Sequence, residues 1–85
     1  MAQLTAQDVI SLLTRSAGDL EFSGDPADAL DLPFDTLGCD SLALLETAAR
    51  IQDDYGVALP EEVVGDLDTP RALMAAVNEA ANQGG

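Results

Sequence analysis

Five consecutive residues, Gly38-Cys39-Asp40-Ser41-Leu42, hold the chemistry that the rest of this 85-residue chain has to position. Gly38 tolerates backbone conformations closed to other residues and ends a stretch rich in turn formers. Asp40 is a good N-cap, because its carboxylate can accept from the first free backbone N–H groups of a helix. Ser41 then falls at the first helical position. Its hydroxyl sits among unsatisfied N–H donors at the positive end of the helix macrodipole, where a phosphate ester is electrostatically favoured. Taken alone, the same residues read simply as a capped helix with no further role.

The chain offers little chemistry of its own. It has no histidine and no lysine, so the usual groups for proton transfer near neutral pH are missing and catalysis by this chain alone is not expected. Cys39 is the only cysteine. No internal disulfide can form, no histidine is there to activate the thiol, and it reads as a spare group whose oxidation would only crosslink two chains. Asp53-Asp54 and Asp66-x-Asp68 do not open a twelve-residue calcium loop with its glycine and terminal glutamate, so no metal site is expected.

Helical periodicity supplies the elements that position Ser41. Thr5-Ala6-Gln7-Asp8 resembles a capping box and opens a helix over residues 5–17, with Val9, Ile10, Leu12, Leu13 and Ala17 on one broad face. Residues 18–39 contain Gly18, Gly24, Pro26 and Pro33 among many aspartates, which predicts a long irregular connection. Leu20, Phe22, Leu30, Leu32, Phe34 and Leu37 would tack it to the helices, as a connection of this length requires. A second helix over 41–55 gathers Leu44, Leu45, Ala48, Ile51 and Tyr55 on its core side. Leu42, Glu46, Ala49 and Asp53 form a neighbouring stripe, either an ordinary solvated face or a docking strip for a basic, partly apolar partner. Pro60 and the acids after it start one short helix over 60–65, and Thr69-Pro70 starts a last one over 69–81. Leu73, Val77 and Ala80 or Ala81 mark the core side of that helix, and the residues from Gln83 should fray. Arg71, Met74 and Asn78 share a face of it, as plain surface or as the border of an interior cleft. The fold class is therefore all-α: a small bundle of three main helices and one short one, with a long loop after the first.

Composition agrees with this reading. Hydrophobic residues make up 47% and aromatics 4%, an aliphatic mixture suited to small helices in a single domain. Sixteen acids against three arginines give a net charge of −13. That excess disfavours nucleic acid and anionic membranes as partners and favours basic protein surfaces. No apolar run approaches membrane-spanning length and no secretory leader precedes the first helix, so a cytoplasmic location is expected.

Gly38-x-Asp40-Ser41-Leu42, followed by Glu46 and by Tyr55-Gly56-Val57-x-Leu59-Pro60, closely resembles the acyl carrier proteins over nearly the whole chain. The resemblance implies that Ser41 carries 4′-phosphopantetheine through a phosphodiester, and that acyl intermediates are held as thioesters on the thiol of that arm. It implies docking of partner enzymes on Asp40, Leu42, Glu46, Ala49, Asp53 and Glu61. Leu45, Arg71, Met74 and Asn78 would border a cleft for the acyl chain.

Asp40-Ser41-Leu42-Ala43-Leu44-Leu45-Glu46-x-Ala48-Ala49-Arg50 is more similar to the stand-alone carriers of bacterial aromatic (type II) polyketide synthases than to fatty-acid carriers. Leu30-Asp31-Leu32-x-Phe34 and Asp68-Thr69-Pro70-Arg71 point the same way. The implied partners are a phosphopantetheinyl transferase, a malonyl acyl transferase, a ketosynthase with its chain-length factor, a ketoreductase and a cyclase or aromatase, all served by a monomer. The alternatives are a fatty-acid carrier and, in a different class, an unmodified acidic adaptor that binds a basic protein.

Overall fold

A computed structural model describes residues 4–18, 20–22 and 24–83. Those residues form six helices, α1 (Ala6–Ala17), α2 (Pro26–Ala29), α3 (Phe34–Leu37), α4 (Ser41–Tyr55), α5 (Glu61–Gly65) and α6 (Pro70–Gln83), with no strand among them. The all-α class and the three long helices are as expected. α6 runs two residues past the expected end at 81, and any fraying of Gly84 and Gly85 lies outside the described residues. No helix among the described residues is long and apolar enough to cross a membrane.

Local signals start the helices where the sequence places them. Thr5 Oγ1 accepts from the Asp8 N–H while the Asp8 carboxylate accepts from the Thr5 N–H, a reciprocal pair that satisfies two otherwise free donors at the head of α1. Thr69 Oγ1 likewise accepts from the Ala72 N–H at the head of α6.

The connection after α1 is more regular than the sequence suggests, because it contains the single-turn helices α2 and α3. Its backbone is fastened to α6, to the loop before α6 and to itself. The Phe34 N–H donates to Asp68 O, the Arg71 N–H to Leu30 O, and the Cys39 N–H to Phe34 O, each at 2.9 Å. Ala29, Leu30, Phe34 and Leu37 are buried beneath it. A long loop can hold one conformation when its polar backbone and apolar side chains are both satisfied in this way.

α1 packs most extensively on α4 and also meets α2 and α6, while α5 lies against α4. Val9, Leu12 and Leu13 from α1, Ile51 from α4, and Leu73 and Val77 from α6 meet in one core, closed by Leu4, Phe34, Leu37, Cys39 and Val57. α4 is rotated from its expected setting. Its buried residues are Ala43, Thr47, Ala48 and Ile51, whereas Leu44 is half-buried and Leu45 is 39% exposed. Small side chains on the inner stripe let the helix sit close to its neighbours, and the Thr47 hydroxyl donates to Ala43 O at 2.8 Å, so its burial leaves no polar group unpaired.

Candidate functional site

The turn before α4 is built by glycine and held by aspartate. Gly38 adopts φ 82° and ψ 20°, a left-handed conformation costly for residues with a Cβ. A Cβ added there would also come within 3.0 Å of Glu21 Oε2. Asp40 then turns extended, and its Oδ1 accepts from the Ala43 N–H at 2.9 Å, while its carbonyl accepts from the Leu44 N–H. This leaves Ser41 at the first position of a 15-residue helix. Its side chain is exposed, and the hydroxyl makes no hydrogen bond with the described residues. The Ser41 and Leu42 N–H groups also lack an acceptor among them. A free hydroxyl beside free donors at the positive end of a helix fits a phosphodiester on Ser41 Oγ.

Two cavities flank Ser41. One, of about 200 Å³, opens between α4 and α5 and is walled by Leu44, Leu45, Glu61, Val64 and Gly65 with Ser41 at its edge. The other, of about 480 Å³, is bounded by Phe34, Asp35, Cys39, Asp40, Leu67 and Asp68 and shares Ser41, Leu44 and Gly65 with the first.

The candidate docking residues lie on the exterior, Asp40 and Leu42 next to Ser41, Glu61 on the smaller cavity with it, and Glu46, Ala49 and Asp53 farther along α4. Leu42 is 69% exposed, and Asp40, Glu46, Ala49, Asp53 and Glu61 are exposed as well. Among the described residues, Leu42 is one of three large apolar side chains left open to solvent, together with Leu45 and Val63.

The four residues considered for an acyl cleft differ in their place relative to these two cavities. Leu45 walls the smaller cavity, but Arg71, Met74 and Asn78 wall neither one. Arg71 forms a two-pronged surface pair with Asp31, from Nε at 2.6 Å and from the terminal nitrogen at 3.1 Å. The guanidinium holds the Asp31 carboxyl below the ordinary carboxylate range. Met74 is half-buried against the core.

Asn78 is used by the fold: its Oδ1 accepts from the Leu4 N–H at 2.7 Å and its Nδ2 donates to Leu4 O at 3.1 Å. Asn78→Ala would strand both backbone groups of the buried Leu4, at about 1–3 kcal/mol for a buried group left unpaired. The expected result is a melting temperature lower by roughly 8–16 °C, taking about 2 kcal/mol in a domain of this size. An unchanged melt would mean that the clamp does not hold.

Cys39 is 2% exposed and lies in the wall of the larger cavity. Burial, and then the neighbouring Asp40 charge, push its thiol pKa up. Crosslinking of two folded chains through Cys39, as the sequence suggests, therefore lacks both the access and the thiolate it needs. Iodoacetamide at pH 8 should modify Cys39 slowly in the folded protein and rapidly in urea, as read by intact mass. The raised pKa also fixes a sign. Around and above about pH 9, the midpoint of an ordinary thiol, stability falls as the pH rises through the higher folded value. Sequence reasoning missed the burial of Cys39 and Thr47. Nothing in the sequence signalled that Gly65 walls both cavities.

Residues 11–77 match the family described as the phosphopantetheine attachment site. The actinorhodin polyketide synthase acyl carrier protein of Streptomyces coelicolor is 46% identical over 77 residues, which cover 91% of this chain and 90% of that one. The oxytetracycline polyketide synthase acyl carrier protein of Streptomyces rimosus is 46% identical over 78 residues, covering 92% and 82%. The solution structure of the acetyl actinorhodin carrier from Streptomyces coelicolor superimposes with a TM-score of 0.87 at 43% identity, over 99% of this chain and 98% of that one. Similarity of this extent, on a fold that leaves one serine free at a helix start, means that the chain belongs to the phosphopantetheine-attachment family, among the polyketide synthase acyl carrier proteins, which hold acyl intermediates on that arm and are not catalysts.

Proposed function

We propose that Ser41 is the attachment residue, and that the protein delivers malonyl groups and growing polyketide chains to the enzymes of a type II synthase. The observation that carries this reading is the exposed Ser41 hydroxyl, free of hydrogen bonds beside the unpaired N–H groups of Ser41 and Leu42. When bound, the arm supplies the thiol that holds the acyl group. The protein's own residues position and do not activate. The Asp40 carboxylate is engaged with the Ala43 N–H, and the chain has no histidine, so the base that deprotonates Ser41 comes from the modifying enzyme. Asp40 holds the helix start, and the N–H groups of Ser41 and Leu42 stabilise the phosphodiester charge.

The partners are a phosphopantetheinyl transferase, a malonyl acyl transferase, a ketosynthase with its chain-length factor, a ketoreductase and a cyclase or aromatase. They dock through basic surfaces on Asp40, Leu42, Glu46, Ala49, Asp53 and Glu61, to a monomer working in the cytoplasm. Each exposed ion pair contributes about 0–1 kcal/mol, so encounter is fast and residence short. Association with a phosphopantetheinyl transferase should slow about tenfold or more between low and high ionic strength, in the range that electrostatic steering contributes. A stopped-flow rate that ignores salt would count against the acidic docking face. The deciding experiment is the intact mass after incubation with coenzyme A, magnesium and a promiscuous transferase, with the modified peptide sequenced. A gain of one phosphopantetheine on Ser41 supports the proposal, and no gain on a folded chain rejects it in favour of an unmodified acidic adaptor.

A further inference from the structure

The larger cavity beside Ser41, the one that α3 borders, has walls hydrogen-bonded to one another. Pro33, Phe34 and Asp35 form one wall, and Leu67 and Asp68 form another. The Phe34 N–H donates to Asp68 O and the Arg71 N–H to Leu30 O, each at 2.9 Å, so the segments that carry these walls are tied twice through their backbones. The two-pronged pair of Arg71 with Asp31 ties them again. Bracing of this kind keeps the space open before anything enters it. Its volume of about 480 Å³ lies within the ~300–1,000 Å³ of small-molecule sites.

The lining is selective in its chemistry. Pro33, Phe34, Leu44 and Leu67 supply apolar surface, and the charged residues among those that bound the cavity are all aspartates, Asp35, Asp40 and Asp68. Asp40 is engaged at the head of α4. The carboxylates of Asp35 and Asp68 form no hydrogen bond or ion pair with the described residues, so they offer strong acceptors and no donor. An anion is repelled by such a wall, and a plain hydrocarbon leaves it unsatisfied. A neutral chain that carries both N–H donors and methyl groups suits it.

Resting on the assignment of the arm to Ser41, we infer that this cavity seats the pantetheine part of the arm, with Asp35 and Asp68 accepting from its amide N–H and hydroxyl groups. Beyond the phosphate that part is uncharged, and its geminal methyl groups follow directly on the phosphate end. They therefore fall near Ser41, where Leu44 shares the rim of the cavity. The aspartate wall turns away a carboxylate at the far end of the arm. A malonyl group thus stays open to the partner that uses it, while the neutral arm behind it is held.

The test uses the full chain, isotopically labelled and loaded from coenzyme A by a promiscuous transferase, beside the double variants Asp35→Ala with Asp68→Ala and Asp35→Asn with Asp68→Asn. Intact mass is read first. A native chain that gains no arm overturns the assignment of Ser41 and this inference with it, whereas a loaded chain that fails the next measurement overturns the inference alone. That measurement is the nuclear Overhauser contact between the geminal methyl groups of the arm and the protein. The expected result is contact with the side chains of Phe34 or Leu67 in the native protein, falling by half or more in the alanine pair at unchanged loading. The asparagine pair keeps an acceptor oxygen at each position and should retain the contact. Both aspartates are exposed and unbonded, so helical circular dichroism should match the native trace in every form. Contact with Leu45 and Val64 alone, no contact in the loaded native chain, or equal contact in the native and alanine forms overturns the inference.

Discussion

Ser41→Ala abolishes the uptake of phosphopantetheine and leaves the fold as stable as before. The two halves of this result have separate causes. Uptake stops because the phosphodiester needs a hydroxyl at the first position of α4, and alanine has none. Stability holds because the Ser41 hydroxyl makes no hydrogen bond with the described residues and its side chain is exposed, so nothing is broken by its removal. Alanine is also the better helix former. The expected change is within about 0.5 kcal/mol, as for surface positions free of special roles. Intact mass and a thermal melt on the same sample read both halves. A mass gain in the alanine variant would move the attachment site elsewhere. Lost helicity would instead give Ser41 a structural role that its free hydroxyl does not suggest.

The contrast with Asp40 shows how the site divides its work. Its carboxylate caps α4 through the Ala43 N–H, and losing such a cap costs about 0.5–2 kcal/mol. Asp40 therefore belongs both to the fold and to the acidic face, whereas Ser41 is placed by the fold without supporting it. A carrier can expose its reactive position in this way because the activating groups arrive with the partner.

How much of this was legible in the sequence depended on how local the cause was. The capping box of Thr5 and Asp8, the Asp40 cap and the Thr69 cap each act across three residues, so sequence spacing alone revealed them. The single turns α2 and α3 span four residues each, too few for a helical period to register. The rotation of α4 was hidden for another reason. Leu44 and Leu45 outweigh Ala43 and Thr47 in any hydrophobic pattern, but close packing selected the small stripe and left Leu45 beside the cavity. Arg71 and Asn78 were legible only as neighbours on a helix. Their partners Asp31 and Leu4 lie 40 and 74 residues away, and no local rule reaches that far. Both side chains hold segments of the fold in place, which is why neither walls a cavity beside Ser41.

Ile51→Ala should have the largest effect on stability of the substitutions considered. Ile51 is 0% exposed on α4, in the core it shares with Val9, Leu13, Leu73 and Val77. Truncation to alanine removes buried methyl groups and leaves a space that close-packed helices fill only in part, at about 2–5 kcal/mol. An 85-residue domain has only about 4–13 kcal/mol in total. The variant should thus melt at least about 8 °C lower, since each kcal/mol shifts a domain of this size by about 4–8 °C. Sulfate should recover part of the loss, by strengthening apolar burial and screening the self-repulsion of a chain at net charge −13. Phosphopantetheine uptake in sulfate should then proceed on the refolded fraction, because Ile51 lies at the core and Ser41 at the exposed start of the same helix. A destabilisation below about 1 kcal/mol would mean that α4 does not bury Ile51, and the rotation that opens the cavity beside Leu45 would fall with it.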